Sequence, residues 1–395
     1  MTTAPRVSVL MSVYNGARYL REAVDSILGQ TFGDFEFIIV DDGSTDETPA
    51  ILDSYGDPRI VRLRNETNIG LTRSLNKGLA VARGEYVARQ DADDVSDSSR
   101  LAKQTQFLAV MESVAIVGSA HYEIDPNGRV LRLITPPVES SEIHDHLLYQ
   151  SCFCHGSVLM RLHAVKSVGF YREDVPVTQD RDLWLRLSDR YSLANLSDPV
   201  YYLRISADSV SSRRRRLQRK IGVQLTKQAF ERRLQMDANY TPSPVAAGRA
   251  HFHLALQALA EDDADNARKH LQKAVLVNPS LNNDTDYCMR ALVQRAFEMG
   301  DWEHIDIRSQ QDAFQGLQYV DSLFRILPEQ LGSLWSHYNK AIAELHAAYG
   351  FATFRASDRG SARQHFCHAW QRNPRFLRNI GMWTTMLRCL LCISS

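Results

Sequence analysis

The sequence has no apolar run approaching the roughly 18 residues that cross a bilayer as a helix, which argues against an ordinary membrane-spanning segment. Its start lacks a basic region followed by an apolar one. Residues 1–10 run straight into a strand-like segment, so no secretory signal is expected. Charge of one sign is also missing. Lys+Arg 46 balances Asp+Glu 46, unlike the strongly basic domains that wrap nucleic acid, and no nucleic-acid partner is expected. Cysteine is scarce: six in 395 residues, irregularly spaced, form no disulfide framework and suit a reducing compartment. What remains is an ordinary globular composition, 44% hydrophobic and 23% charged, long enough for two domains with a core each.

The first half alternates two periodicities. Residues 7–14 are apolar and β-branched and stop at the turn pair Asn15-Gly16, which predicts a strand. Tyr19, Leu20, Ala23, Val24, Ile27 and Leu28 then recur at helical spacing up to Gly29. Residues 35–40 predict a second, buried strand leading into Asp41-Asp42-Gly43-Ser44. Ser44 and Glu47 have capping-box spacing and predict a helix opened by Ser44. Residues 60–63 predict a third strand. Leu71, Leu75 and Leu79 mark a helix closed by Gly84, and residues 86–88 a strand running into Asp91-Ala92-Asp93-Asp94. This rhythm predicts an α/β sheet with right-handed crossovers and functional loops at the strands' carboxyl ends. Beyond about residue 115 the pattern is mixed. Asp125-Pro126-Asn127-Gly128 reads as a hairpin turn, 157–160 and 200–205 as strands, and 183–187 as a helix.

Residues 213–220 (RRRRLQRK) hold six basic residues in eight and open a helical part, so the expected domains are 1–212 and 213–395. Within it, 266–279 (NARKHLQKAVLVNP) matches 361–374 (SARQHFCHAWQRNP) without a gap at Ala267/Ala362, Arg268/Arg363, His270/His365, Ala274/Ala369, Asn278/Asn373 and Pro279/Pro374. Small residues at close-packed positions and an Asn-Pro stop suit stacked helical hairpins and resemble tetratricopeptide-type pairs. Two copies about 95 residues apart make no regular solenoid, and an irregular helical domain is expected. The basic cluster reads by default as a solvated helix face, with binding of acidic lipid headgroups the alternative. Residues 375–395 mix Phe376, Leu377, Ile380, Trp383, Met386, Leu387, Leu390 and Leu391 with arginines, which suits packing on the hairpins or lying in a membrane interface. The expected location is cytoplasmic, with peripheral attachment to the inner face of the cell membrane left open. Cys389, Cys392, Cys367, His365 and His368 lack the second tight cysteine pair of a zinc site, so helix-packing cysteines are expected.

Two acidic clusters, Asp41-Asp42 and Asp91, Asp93 and Asp94, follow the second and fourth strands, where an open α/β sheet would turn both towards one crevice. Aspartates in such places also simply cap helices. An EF-hand starting at Asp91 fails, because Val95, Ser96 and Ala102 stand at its fifth, sixth and twelfth positions. A dinucleotide-binding dehydrogenase is disfavoured: Tyr14-Asn15-Gly16-Ala17 stands where G-x-G-x-x-G is needed.

Four stretches in order, VSVLMSVYNGARYLREAVDSILGQTF, FEFIIVDDGSTDET, NIGLTRSLNKGLAVARGEYVARQDADD and TQDRDLWLRL, resemble the inverting glycosyltransferases of family 2, over roughly residues 6–212. The resemblance implies the GT-A nucleotide-diphospho-sugar transferase fold, here followed by an all-helical domain. It also implies a nucleotide-sugar donor, a UDP-sugar above others, and the hydroxyl of a surface glycan or lipid-linked sugar as acceptor. The pyrophosphate charge must be offset while the glycosidic bond breaks, and a Mn²⁺ or Mg²⁺ ion held by carboxylate oxygens does this. By resemblance Asp93 is the metal ligand, Asp91 its partner on metal or ribose, and Asp42 the carboxylate that accepts a hydrogen bond from the base. Ser12 and Tyr14 then line the base pocket, although Tyr14 reads nearly as well as a half-buried strand-end aromatic.

Inversion needs one general base on the face of the sugar opposite the leaving nucleotide. The resemblance puts it at Asp180, in Thr178-Gln179-Asp180-Arg181-Asp182-Leu183-Trp184. Gln179 stands where many relatives carry Glu, which leaves a second acceptor-site carboxylate in doubt, and Asp182 reads as a first-turn helix residue. His155, Arg204, Ser209 and Ser211 lie in stretches that often close over donor or acceptor in relatives, and Ser206 replaces the family's frequent His after the last strand. The rival reading is a catalytically inactive domain that binds nucleotide-sugar or serves as a scaffold. The retained Asp93 and Asp180 argue against it.

Overall fold

The computed structural model describes residues 4–205, 215–238, 240–299, 310–355 and 359–373. Ser206, Ser209, Ser211, Arg213, Arg214, Pro374 and the segment 375–395 with Cys389 and Cys392 lie outside the described residues. The chain divides into two compact units, Met1–Arg213 with Gln224–Tyr240, and Arg214–Val223 with Thr241–Ser395. Relative to a boundary at 212/213, Gln224–Tyr240 therefore goes with the first unit. Its side chains explain this: Thr226 Oγ1 donates to the Leu148 carbonyl at 2.7 Å, and Arg233 pairs with buried Asp189 at 2.8 Å.

The first unit is built on a nine-stranded sheet. Its strands are β1 (Val7–Val13), β2 (Phe35–Asp41), β3 (Ile60–Arg64), β4 (Tyr86–Asp91), β5 (Val95–Ser96), β6 (Val114–Ile124), β7 (Val130–Ile134), β8 (Leu159–Arg161) and β9 (Ser192–Arg204). They lie in the order β3-β2-β1-β4-β8-β6-β9-β5, with β7 beside β6. The run β3-β2-β1-β4 is parallel, and β8 reverses the direction. Helices α1 (Leu20–Leu28), α2 (Thr48–Asp53), α3 (Leu71–Val81), α4 (Arg100–Val110), α5 (Ser140–Leu147), α6 (Leu162–Val168) and α7 (Gln179–Ser188) connect the strands. Every residue of β1 and β2 is buried, as strands covered on both faces must be. One core cluster joins Val9, Met11, Phe37 and Ile39 of those strands to Leu20, Val24 and Ile27 of α1.

Two local expectations give way to long-range contacts. Helix α2 starts at Thr48, not Ser44, and carries no side-chain cap at Glu47. The Ser44 hydroxyl is taken by the Asn15 N–H at 3.0 Å, while Asn15 Oδ1 accepts from the Thr45 N–H at 2.8 Å. The loops after β1 and β2 are thus laced together. Gly84 does not close α3, which ends at Val81. A Cβ on Gly84 would stand 2.5 Å from the Ser8 nitrogen, so the glycine is needed for close approach of two backbones. The strands predicted near 157–160 and 200–205 are β8, preceded by a 3₁₀ turn at His155–Ser157, and the longer β9.

Helix α8 (Arg215–Met236) spans the boundary between the two units. The second unit then holds α9 (Pro244–Ala260), α10 (Ala264–Val277), α11 (Thr285–Met299), α12 (Gln310–Ile326), α13 (Tyr338–Arg355) and α14 (Arg359–Arg372) among the described residues. Helices α9 and α10 form one hairpin and α13 and α14 another, and the two halves of the sequence repeat fall on α10 and α14. The correspondence extends into the preceding helices. His251 Nδ1 lies 3.0 Å from His270 Nδ1, and His346 Nδ1 lies 3.0 Å from His365 Nδ1, one pair per hairpin.

Each pair needs one protonated and one bare Nδ1, so a second proton breaks it. Burial first, then the partner ring, lowers both His251 and His346 to about 4; Lys273 lowers His251 further, and His368 and Arg372 lower His346 further. A depressed folded value means that this stability is fully present above the unfolded histidine value of about 6.5 and is lost as pH falls towards 4. The melting temperature of the helical unit is expected to fall between pH 7.5 and pH 4.5 by an amount worth about 1 kcal/mol per pair. Thermal melts across that range should show a flatter pH dependence for H251Q/H346Q than for the wild type.

Candidate active site

The carboxyl ends of the parallel strands are level. Val13 pairs with Asp41, and Ser12 sits between Val40 on β2 and Asp91 on β4. Strand order reverses at β1, where open α/β sheets receive ligands at the carboxyl edge. Ser12 is buried at this edge, and Tyr14, just beyond β1, has 49% of its surface exposed.

Asp42 is almost wholly buried. Its Oδ1 accepts from Asn65 Nδ2 at 2.8 Å and the Ile69 N–H at 2.9 Å, and its Oδ2 from the Gly70 N–H at 2.9 Å. The carboxylate thereby pins the loop before α3 and sits at that helix's N-terminus, where negative charge is favoured. Of roughly four acceptor positions on a carboxylate, one remains. Asp41 turns the other way, accepting from the Ser44 N–H at 2.9 Å.

The loop after β4 carries three carboxylates with three different environments. Asp91 Oδ1 accepts from Arg89 Nη2 at 2.7 Å. Asp94 is buried, its Oδ2 accepting from the Tyr201 hydroxyl at 2.9 Å and its Oδ1 from the Arg204 N–H at 2.7 Å. Burial first, then the charges of Asp91 and Asp93, push Asp94 well above the usual carboxylate range. Asp93 keeps an exposed side chain. Desolvation by the surrounding atoms, then the Asp91 charge, still raise it to about 6. It is the most exposed of the three.

On the far wall stands the turn His155–Ser157. His155 Nε2 is 2.8 Å from the Tyr171 hydroxyl, and the imidazole packs edge-on against Trp184 of α7. Burial first, then the Arg89 charge, lowers His155 to about 4, so the ring is neutral at physiological pH. Burial also raises Tyr171. Both residues feel the charges of Asp91 and Asp180, which brings donor-loop and α7 carboxylates to one place.

Asp180 lies half-buried in the first turn of α7, and no hydrogen bond takes up its carboxylate among the described residues. Asp182 differs in every respect. It is buried, with Oδ2 held by Arg186 Nε at 2.8 Å and Oδ1 by Arg172 at 3.3 Å, and serves the fold. Gln179 is buried beside it. Arg204, in a stretch that often closes over donor or acceptor in relatives, is engaged within the fold. It donates to the Asp93 carbonyl and to Glu22, both at 2.7 Å, and lies over the Tyr19 ring. Arg89, Tyr171 and Tyr201 escaped the sequence reading. A charge inside the buried strand YVARQD was the available signal for Arg89; the two tyrosines carried none.

Residues 8–168 match Glycosyl transferase family 2. The chain is 36% identical over 219 residues to EpsE of Bacillus subtilis, a protein named as a glycosyltransferase, covering 54% of this chain and 78% of that one. The chain belongs to glycosyl transferase family 2. It is also 35% identical over 187 residues to the uncharacterized glycosyltransferase MJ1057 of Methanocaldococcus jannaschii, covering 46% of this chain and 64% of that one. The solved structure of S. aureus TarS 1-349 in complex with UDP is similar at a TM-score of 0.49 and 18% identity, covering 93% of this chain and 91% of that one. The expected architecture, a GT-A α/β domain followed by helices, is the one observed.

In this family 2 domain the turn at Gly156 has no spare room. A Cβ there would lie 2.0 Å from the Tyr201 hydroxyl and 2.9 Å from Asp91 Oδ2. Gly156→Ala is expected to destabilise the protein by about 1–3 kcal/mol through overpacking. Gly33→Ala, where nothing lies within 4 Å, should stay within about 0.5 kcal/mol. Urea unfolding of both variants checks the contrast.

Proposed function

We propose that this chain is a metal-dependent, inverting glycosyltransferase that moves a sugar from a nucleotide-sugar, a UDP-sugar first among them, to a hydroxyl of a glycan or lipid-linked acceptor. One observation carries the reading. The turn His155–Ser157 lies against Asp91 through Gly156 and against Trp184 of α7, the helix that carries Asp180, with Asp93 exposed in the donor loop. Asp93 is the proposed ligand of Mn²⁺ or Mg²⁺, with Asp91 beside it. Among the described residues no three His, Cys, Asp or Glu side chains form a metal cage. Such ions need none, since one or two carboxylates suffice when phosphate oxygens and water fill the other positions. Desolvation first, and neighbouring carboxylate charge second, push Asp93 and Asp94 up, and a cation beside them would offset that second contribution. When bound, the ion offsets charge on the departing diphosphate.

Asp42 acts on the donor side by holding the loop before α3 and keeping one acceptor position for the base, between Ser12 and Tyr14. At Asp180 the carboxylate takes the proton of the acceptor hydroxyl as that oxygen bonds to the anomeric carbon. The bond from that carbon to the diphosphate oxygen breaks on the opposite face, and its electron pair leaves with the diphosphate. Neutral His155 does not compete for the proton at physiological pH.

Asp93→Ala should leave the fold intact, because the side chain is exposed in a loop, and abolish the dependence of UDP binding on Mn²⁺. In the wild type that binding should strengthen as pH rises through about 6, where Asp93 ionises. Titration calorimetry with UDP, with and without Mn²⁺, checks both. Unchanged metal dependence in the variant would make Asp93 a spectator.

Asp180→Asn keeps the shape and removes the base. Affinity for the donor with metal should stay within a few-fold while kcat for transfer falls by about 10²–10⁴-fold. Binding and transfer measured on the same preparation separate the two effects. Transfer near the wild-type rate would place the base elsewhere.

A further inference from the structure

Strand β4 carries a charge where a strand covered on both faces ordinarily carries an aliphatic residue. Arg89 is 1% exposed, in the middle of YVARQD. It precedes Asp91 by two residues and so shares its face of the sheet. Its Nη2 donates to Asp91 Oδ1 at 2.7 Å and its Nη1 to the Gln90 carbonyl, while its Nε has no partner among the described residues. A buried guanidinium with an unpaired N–H costs stability, and an aliphatic side chain of similar volume would serve the fold better. The other oxygen of Asp91 faces the Gly156 turn, where a Cβ would lie 2.9 Å from Oδ2. One oxygen is therefore held by Arg89, while the Asp91 side chain as a whole keeps 31% of its surface exposed.

We infer that Arg89 is a positioning residue for the donor. By holding Oδ1 it fixes the rotamer in which the Asp91 carboxylate meets the nucleotide-sugar. This rests on the donor site proposed above. Arg89 touches neither donor nor metal; it acts through Asp91. Lysine, a point charge without the planar fork, can replace the charge but only part of the alignment.

The test is a double-mutant cycle on the full chain, reading the Kd for UDP with Mn²⁺ by titration calorimetry in wild type, R89M, D91N and R89M/D91N. Loss of one charge-assisted hydrogen bond predicts that R89M weakens UDP about tenfold. R89K should recover part of that loss. In the D91N background R89M should change affinity less than about twofold, because its route to the donor is already cut. A role only in stability would lower the melting temperature without this coupling. The inference is overturned by an R89M affinity within about twofold of wild type, or by the full tenfold loss recurring in D91N. Should R89M not fold, R89K with R89K/D91N carries the same comparison, with a loss in the single background only as the expected result. Failure of the wild type to bind UDP, GDP, CDP or dTDP with Mn²⁺ overturns the donor-site reading itself. A wild type that binds, with Arg89 uncoupled from Asp91, overturns this inference alone.

Discussion

Three carboxylates within four residues repel one another, and the first unit is arranged around containing that repulsion. Asp91 is neutralised from below by Arg89 of its own strand, and Asp94 by the Tyr201 hydroxyl and the Arg204 N–H of β9. Asp93 is raised to about 6 by desolvation first and by the Asp91 charge second, which Arg204 and Arg89 offset only in part. Carboxyls raised in the folded state make the loop unfavourable at neutral pH, and stability is regained as pH falls through their folded values towards that of an unfolded aspartate. Solvent reaches Asp93 most readily of the three.

Much of this architecture was legible in the sequence because its signals were local. The alternation of apolar strands with helices of 3.6-residue period located β1, α1, β2, α3 and β4, and parallel pairing then had to bring Asp41, Asp42 and Asp91 to one edge. The sequence reading failed wherever a side chain was claimed by a distant partner. Ser44 has the spacing of a helix cap, but Asn15, 29 residues earlier, takes its hydroxyl. Gly84 resembles a helix stop, but it answers the backbone of Ser8. Arg204 lies in a stretch that often closes over ligands in relatives, yet its donors go to Glu22 and to the carbonyls of Asp93, Asp125 and Pro126. No pattern within a window of ten residues carries that information.

The helical unit shows the same limit from the other side. A gapless match of fourteen residues identified the second helix of each hairpin, with His270 opposite His365. Their partners, His251 and His346, sit in helices where the surrounding residues have diverged, and only the three-dimensional pairing reveals that the duplicated unit is a whole hairpin.

Arg204 ties the acidic loop to α1, binding Glu22, 182 residues earlier, while its own N–H holds Asp94, 110 residues earlier. A ribosome delivers these groups in order, the loop long before its clasp. Until β9 has been synthesised and has left the exit tunnel, the nascent domain can pair β1 to β4 but must leave Asp94 without the Arg204 N–H and the Tyr201 hydroxyl. Asp94 thus gains its two β9 partners only after the parallel half of the sheet has been made.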